Sequence, residues 1–400
     1  MAVAEPPVPG NEQPVGLARW PGVRAFRSPR FRIVLAGVLW AAGAAVIVSF
    51  LARQAADPAG QYGVDFADYR TASLRMLEGR SPYAPEMLVA PVPAHGLDRY
   101  RYPPPFAQLL TPLAVQAPAL GVTLWAAVQA FLVLAATWIA GGVGGGRPTL
   151  ERFLWSGVAA TFYLPVFDTL WKGNVDGLLA FLVALVLRGG MAGGAAIAAA
   201  GWLKVSPTVL LAAGARGGHR FLAGVALATG VILVPSLLLV PGAWADYARV
   251  LPNLMAGPAI DPVNLAPASL LATAGADPRI VDAVRGLTVT AGLAAAGLAL
   301  WLAGGPAGWR GAVVCAVVAV LLLPAALWYH YLVLLLPIAA LAWPAAGTIR
   351  RVGLMAGLGA IPVGLAFLPL ADVGAVVAIA SAVGALWPGR AVALRSKRTA

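Results

Sequence analysis

The chain has 400 residues, of which 60% are hydrophobic and 11% are charged. Soluble domains are about 45–50% apolar and about 25% charged, so this composition excludes an ordinary soluble enzyme, a disordered chain and a nucleic-acid-binding domain. The net charge of +12 is interpreted as the basic cytoplasmic loops of a membrane protein. The only cysteine, Cys315, cannot form an intramolecular disulfide or a cysteine metal site.

A series of apolar runs, separated by Gly, Pro and Arg clusters, predicts an all-α integral membrane protein with about 10–12 transmembrane helices of roughly 20 residues each. Interfacial helices are expected in the first long outer loop. The run 191–215 holds Lys204 and Pro207 halfway along. It is either one broken span or two short helices that meet at the outer face, and we favour two, which gives twelve crossings. The apolar runs are 33–52, 119–141, 153–170, 176–188, 191–215, 221–241, 286–304, 311–328, 331–346, 352–370 and 373–388.

The charge distribution predicts the orientation in the cytoplasmic membrane. Segments placed inside hold 17 of the 28 cationic residues and three of the 16 acidic residues, as the positive-inside rule requires. We therefore predict a cytoplasmic basic tail at 1–32, a single polytopic membrane domain at 33–388 and a second cytoplasmic basic tail at 389–400. Two outer loops, 53–118 and 242–285, are too long to be mere connections, and chemistry is expected there.

Residues 65–80 of the first outer loop are predicted to form an amphipathic helix that Gly79 and Pro82 end. Such a helix lies in the membrane interface with its apolar face in lipid, or it forms a structural cap over the bundle. Asp65 stands at its start, where the helix dipole stabilises an anion. This carboxylate can accept a proton from a hydroxyl, so Asp65 is the candidate general base and Asp68, one turn on, is the alternative. Either acid can instead serve only to stabilise the helix N-terminus.

Lys204 is the most informative charge after Asp65, because an ionised lysine within a span costs at least about 2.5–3.5 kcal/mol. It either snorkels towards the outer interface or pairs with a phosphate in a polar pocket opened by the break at Pro207. His330, at an outer helix end, is either a satisfied interfacial side chain or a hydrogen-bonding partner of phosphate or sugar. Three scattered histidines argue against a histidine metal site. No metal or cofactor is predicted, and a carboxylate-bound divalent cation stays open.

Two other groups of side chains allow two interpretations each. Asp168, Lys172 and Asp176 surround an outer turn and are interpreted as an interfacial ion pair with solvated ends. Alternatively, Asn174 and Asp176 bind acceptor hydroxyls. The aromatic residues of the first loop either anchor the protein at the interface or stack on a sugar. These aromatic residues are Tyr100, Tyr102 and Phe106.

The stretch 65–83, DFADYRTASLRMLEGRSPY, with the YPP element that follows at 102–104 and the PL at 112–113, resembles glycosyltransferase family 87. The similarity extends over about residues 60–345 through four further elements. At the first of them, the family has G-Q-x-N and both amides are altered here. The elements are 173–176 (GNVD), 192–207 with its K-x-x-P ending, 328–331 (WYHY) and a weaker N-x-S counterpart at 264–269.

The resemblance implies a C-type glycosyltransferase fold and a hexosyltransferase that takes its sugar from a polyprenyl phosphate carrier outside the cytoplasmic membrane. The family's mycobacterial members are mannosyltransferases, so mannose is expected first and arabinofuranose second. The expected partners are that donor, a glycolipid or cell-envelope glycan acceptor and membrane lipids, and no nucleic acid. Lys204 and His330 are expected to bind the donor phosphate. Residues expected to bind sugar or acceptor are Tyr69, Tyr83, Tyr102, Asn174, Asp176 and Asn264.

Two other classes of protein fit the same composition. A transporter or flippase of lipid-linked sugars often has internal repeats and discontinuous helices with midplane sites, but this sequence shows one break and no repeat. A non-catalytic scaffold for envelope assembly would not bring Asp65 and Lys204 to a common pocket. The position of these two side chains therefore separates the enzyme from its alternatives.

Overall fold

The computed structural model describes residues 28–57, 60–91, 98–214, 217–256, 263–304, 308–324, 326–363 and 368–386. These residues form α-helices and short 3-10 helices, and none of them is in a β-strand. The all-α prediction is therefore confirmed. Most of the predicted N-terminal tail, the whole predicted C-terminal tail and a few residues of the second long loop lie outside the described residues.

The helices fall into two sets, before and after a connection near residue 215. The first set is α1 (Pro29–Ala56), α2 (Val64–Leu77), a 3-10 helix (Pro85–Leu88), α3 (Pro104–Ala114), α4 (Pro118–Val143), α5 (Leu150–Phe162), α6 (Leu164–Lys172), α7 (Asp176–Arg188), α8 (Gly190–Leu203), a 3-10 helix (Ser206–Leu210) and α9 (Leu211–Gly214). The second set is α10 (Gly218–Leu239), α11 (Pro241–Ala256), α12 (Pro267–Thr273), α13 (Pro278–Leu302), α14 (Gly308–Leu322), a 3-10 helix (Tyr329–Leu334), α15 (Leu335–Ala342), a 3-10 helix (Trp343–Ala345), α16 (Thr348–Val363) and α17 (Leu368–Leu386).

Four of the described helices, α1, α4, α10 and α13, are long and apolar enough to cross a membrane, and α5 with α6 makes a fifth if that bent pair is one span. The chain is an integral membrane protein, as its composition predicts. Helices long enough to cross a membrane are fewer than the predicted apolar runs, because several runs are divided into shorter helices. The run 153–170, for example, bends by 65° between α5 and α6, where Pro165 has no backbone N–H to continue the first helix.

The break predicted at Lys204 and Pro207 is confirmed. Helix α8 ends at Leu203, Lys204 has an extended backbone, and a 3-10 helix begins at Ser206. The helical piece after the break ends at Gly214 and covers about 14–18 Å at roughly 1.5–2.0 Å per residue. The run 191–215 is thus divided into two short helical pieces, as predicted, although each is shorter than a hydrocarbon core of about 30 Å. The count of twelve crossings stays a prediction.

Helix α7 lies at the centre of the described structure, packed against α4, α8, α14, α15 and the 3-10 helix Tyr329–Leu334. Most of its side chains are buried, including Leu179, Val183 and Leu187. By contrast, α1, α10 and α13 are mostly exposed apolar surface. Such surface suits contact with lipid and would be unusual in water. The molecule therefore has a protein-packed centre and a lipid-compatible periphery.

The amphipathic helix predicted at 65–80 is present as α2, but its apolar face is covered by protein. Phe66, Tyr69 and Ala72 are buried, and α2 packs chiefly against α3. The expectation that this face lies in lipid is therefore wrong, and the helix is part of the protein core. The second predicted loop, 242–285, is also largely helical, because α11, α12 and the start of α13 occupy it.

Candidate active site

Asp65 is placed by a tight approach at the start of α2. Gly63 caps this helix in the left-handed region with φ of +74°, and its N–H donates to the Trp171 carbonyl at 2.7 Å. A Cβ at Gly63 would lie 2.4 Å from a methyl of Val122, so only glycine fits. Asp65 follows in the first turn, is partly exposed and faces the end of α6.

The break between α6 and α7 places Asn174. Gly173 ends α6 with φ of +68°, and a Cβ there would lie 2.8 Å from Cβ of Phe66. The Gly173 carbonyl accepts a hydrogen bond from the Trp125 indole N–H at 2.9 Å. These constraints bring Asn174, which is 4% exposed, close to α2.

Asn174 joins three parts of the chain through its side-chain amide. Its Nδ2 donates to Asp65 Oδ2 at 2.7 Å and lies 3.1 Å from His330 Nε2. Its Oδ1 accepts from the backbone N–H of Asp176 at 3.1 Å. Asn174, one of the two positions of the 173–176 element where the amide is altered, therefore connects Asp65, His330 and Asp176.

His330 is enclosed by carboxylates. Its Nδ1 lies 3.1 Å from Asp168 Oδ2, and its Nε2 lies 3.8 Å from Asp176 Oδ2. Burial lowers the pKa of His330, but the hydrogen bond with Asp168 and the charges of Asp176 and Asp65 raise that pKa above its ordinary value. Both ring nitrogens thus face protein groups.

Lys204 extends from the break after α8 to the same place. Its Nζ lies 3.4 Å from Asp176 Oδ1 and 3.4 Å from the centroid of the Tyr331 ring. The carboxylate of Asp176 is thus close enough to pair with the ammonium of Lys204. Asp176 is 1% exposed, whereas Lys204 keeps 16% of its side chain accessible. The ammonium is the part of this pair that an incoming anion can reach.

The polar side chains described above that contact one another form a group of six, which we call the polar cluster. Five of the six belong to the end of a helix or to a break between helices, and Asp168 lies within the short helix α6, so non-helical backbone meets polar side chains at one place. Asp65 and Lys204 are connected within the polar cluster by only two residues, Asn174 and Asp176. The members of the polar cluster are Asp65, Asp168, Asn174, Asp176, Lys204 and His330.

An aromatic cluster borders the polar cluster. The hydroxyls of Tyr69 and Tyr102 are 3.0 Å apart, and Tyr102 is partly exposed. Tyr83 is 1% exposed, donates to the Tyr102 carbonyl at 2.9 Å and stacks on Tyr247 of α11 at 5.9 Å. Tyr83 is therefore a packed support rather than an open surface. The members of the aromatic cluster are Tyr69, Tyr83, Tyr100, Tyr102, Phe106 and Tyr247.

Asp68 and Asn264 are directed to backbone groups. Asp68 Oδ1 accepts from the N–H of Asp98 at 2.8 Å. Burial raises the pKa of Asp68 to about 6, although backbone hydrogen bonds from Asp98 and Arg99 oppose that rise. Asn264 is fully buried, and its Oδ1 accepts from the N–H groups of Ala266 and Leu327. Asn264 thereby ties the second loop to the segment that precedes His330.

The structure brings five of the sequence-predicted residues together, namely Asp65, Asn174, Asp176, Lys204 and His330. Sequence reasoning did not assign Asp168 or Tyr331 to the site. Tyr331 could have been found as the last residue of the 328–331 element. The sequence predicts an interfacial ion pair of Asp168 with Lys172, whereas Lys172 lies over the ring of Trp171 and Asp168 pairs with His330.

The fold and the polar cluster define an integral membrane protein with a carboxylate, an amide and a lysine assembled at helix ends. Within the described residues, no group of three or more His, Cys, Asp or Glu side chains is arranged to hold a metal ion. Comparison with known proteins identifies the class. A family model described as glycosyltransferase family 87 matches residues 100–324, more than half of the chain, while no curated protein matches it.

The chain belongs to glycosyltransferase family 87. It is therefore a glycosyltransferase, and the transporter and scaffold interpretations give way to an enzyme. The matched range includes Asn174, Asp176 and Lys204, whereas Asp65 and His330 lie on either side of it. The contacts described above connect these two flanking residues to the matched part.

Proposed function

We propose that the protein is an inverting glycosyltransferase that moves a sugar from a polyprenyl phosphate carrier to a glycolipid or cell-envelope glycan acceptor. Mannose is the first sugar to test and arabinofuranose the second. The observation that carries the proposal is the polar cluster, in which a partly exposed carboxylate and a charged lysine are linked through Asn174 and Asp176. A base and a cation are the two groups that this transfer needs.

Asp65 acts as the general base in this proposal. Its carboxylate takes the proton of the acceptor hydroxyl while that oxygen forms a bond to the anomeric carbon. The bond between this carbon and the phosphate oxygen breaks, and its electron pair leaves with the polyprenyl phosphate. A single displacement inverts the anomeric centre, so a β-linked mannosyl phosphate gives an α-mannoside without a covalent enzyme intermediate.

Lys204 stabilises the departing phosphate. The accessible part of its ammonium can contact the phosphate oxygens while Asp176 and the Tyr331 ring hold it from the protein side. Negative charge grows on the phosphate as the sugar leaves, so a preorganised cation lowers the barrier. Because both ring nitrogens of His330 face protein groups, we assign His330 to positioning rather than to direct phosphate contact.

Tyr102 is the aromatic residue best placed to contact sugar, because it is partly exposed and adjoins Lys204. The hydroxyl of Tyr69 is hydrogen-bonded to the hydroxyl of Tyr102 at 3.0 Å and fixes its position. Tyr83 and Asn264 are buried, so they support the walls of the site from behind. Asn174 and Asp176 act mainly through Asp65 and Lys204.

The proposed location is the outer face of the cytoplasmic membrane, with both termini inside. The segments assigned to the cytoplasm carry most of the cationic residues, and the polar cluster belongs to the helix ends assigned to the opposite side. A carrier chain in the bilayer would present its phosphate there.

Transfer by the purified chain in lipid nanodiscs tests the proposal. Radiolabelled polyprenyl-phosphate mannose is compared with the arabinofuranose donor, and the linkage of the product is determined. Asp65→Asn is expected to lower kcat by about 10²–10⁴-fold with donor affinity retained, and Asp68→Asn is expected to stay near native. A well-folded Asp65→Asn protein with full activity refutes the base assignment, and the reverse pattern transfers that role to Asp68.

A further inference from the structure

Asp168 has no role in the proposed transfer, yet it is joined to the candidate base through two other side chains. It belongs to α6, is 18% exposed, and places Oδ2 3.1 Å from Nδ1 of His330. His330 in turn lies 3.1 Å from the amide of Asn174, which donates to Asp65. Protons can be assigned along this series from the hydrogen-bonding capacity of each group.

The contact of the Asn174 side chain with the backbone N–H of Asp176 shows which end of the amide is the oxygen and which is the nitrogen. The backbone N–H of Asp176 is a donor only, so the atom it meets at 3.1 Å is the carbonyl oxygen Oδ1. The amide nitrogen then faces Asp65 Oδ2 and His330 Nε2, and it has two N–H groups for these two neighbours. The Nε2 atom of His330 must therefore accept, with an unprotonated lone pair.

A ring whose Nε2 accepts carries its proton on Nδ1, which then donates to Asp168 Oδ2 at 3.1 Å. A doubly protonated ring would instead direct Nε2–H at the amide nitrogen of Asn174, and Asp176 Oδ2, the carboxylate oxygen on that side, lies 3.8 Å from Nε2, beyond hydrogen-bond distance. The charged groups facing the ring are Asp168, Asp176 and Asp65, from α6, α7 and α2. Of these three carboxylates, that of Asp168 is the one within hydrogen-bond distance of the ring, and the contact is at Nδ1.

We propose that Asp168 is a positioning residue, which holds His330 in the Nδ1–H tautomer so that the Asn174 amide is held on the carboxylate of Asp65. This inference rests on the proposed function only in naming Asp65 as the base. The tautomer itself is a property of the folded protein. In free imidazole side chains the proton favours Nε2, so a protein that holds it on Nδ1 needs an acceptor there, and Asp168 is that acceptor.

The experiment measures the tautomer directly. The chain has three histidines, so ¹⁵N-histidine labelling and long-range ¹H–¹⁵N correlation in nanodiscs give three ring patterns, of which that of His330 is assigned by its loss in His330→Gln. The neighbouring carboxylates raise the pKa of His330 above its ordinary value, so the spectra are recorded above neutral pH, where the native ring is expected to be neutral with Nδ1–H. Asp168→Ala is expected to shift it towards Nε2–H and to lower kcat about 10–100-fold, with the donor KM changed less than kcat.

Two further variants separate this role from a general structural one. Asn174→Ala is expected to keep the Nδ1–H tautomer, because Asp168 still accepts from the ring. Lys172→Ala is the matched control on α6, four residues on from Asp168 and over the Trp171 ring, and it is expected to change neither the tautomer nor kcat. If Asp168→Ala does not accumulate, the native and Asn174→Ala spectra still decide the tautomer.

The proposal is overturned if the neutral ring of native His330 is the Nε2–H tautomer, or if Asp168→Ala leaves an Nδ1–H ring unchanged. A loss of kcat without a change of tautomer overturns it as well. Failure of the proposed function gives a different result, because absence of transfer by the native chain does not alter the ring pattern.

Discussion

The buried pair of Lys204 and Asp176 gives a prediction whose size follows from the geometry. Lys204→Met removes the cation 3.4 Å from Asp176 Oδ1 and leaves a carboxylate that is 1% exposed. At an effective dielectric constant of about 20, the lost attraction is about 5 kcal/mol. The stranded carboxyl can escape by taking a proton, which costs about 4 kcal/mol at pH 7. A destabilisation of about 3–4 kcal/mol is therefore expected, as for other buried pairs that lose one partner.

The opposite single change is expected to cost less. Asp176→Asn leaves Lys204 charged, but its side chain is 16% exposed and keeps the Tyr331 ring, so about 1–3 kcal/mol is expected. The double variant Lys204→Met with Asp176→Asn leaves no buried charge and is expected within about 2 kcal/mol of native stability. The double variant should nevertheless have lost transferase activity, which separates folding from catalysis.

An SDS titration in mixed micelles measures these free energies of unfolding. Cys315 is the only cysteine and is 7% exposed, so a thiol-reactive fluorophore reports unfolding without an introduced label. A free energy of unfolding of Lys204→Met within about 1 kcal/mol of the native value would refute the predicted loss. The prediction is equally refuted if the double variant loses the sum of the two single losses, because the pair would then have no coupling.

Gly173→Ala is expected to lose about 1–2 kcal/mol from its left-handed backbone and more from the 2.8 Å approach to Phe66, with a parallel loss of transfer. Gly79→Ala has a similar φ of +71° but open space around it, so it should keep its activity, and equal losses in both variants in the SDS titration would contradict the packing argument. The raised pKa of Asp68, about 6 against 3.8 for the free group, makes the folded state bind the proton more tightly. Stability is therefore expected to fall as pH rises from 3.8 to about 6, and a slope that persists in Asp68→Asn would show another group to be its source.

The sequence predicts the parts of the fold that have local causes. Apolar runs specify membrane helices, and Pro207 beside Lys204 specifies a break, because each signal acts within one or two turns. The lengths of the helices were less predictable, since the bend before Pro165 divides a run that composition alone makes continuous. The sequence also could not show that the apolar face of α2 is covered by α3 rather than by lipid, because either partner suits the same pattern.

The site was predictable where a motif recurs and not where distant segments pair. Asp65 and Lys204 stand in family-like elements, and the structure connects them. Asp168 was assigned to a surface ion pair because its partner His330 lies 162 residues away, and no local periodicity reports such a contact. Burial of Tyr83 and Asn264 was equally hidden, since a tyrosine or asparagine in a loop has the same local signature whether it contacts substrate or supports a wall.

The aromatic cluster has a consequence for engineering this enzyme. Tyr83 stacks on Tyr247, and Asn253 of the same helix α11 donates to the Met87 carbonyl at 2.9 Å. The loop that carries Asp65 is thus built against a helix more than 150 residues further along the chain. A chimera that exchanges this loop must carry α11 with it, because the loop and α11 pack against each other through these contacts.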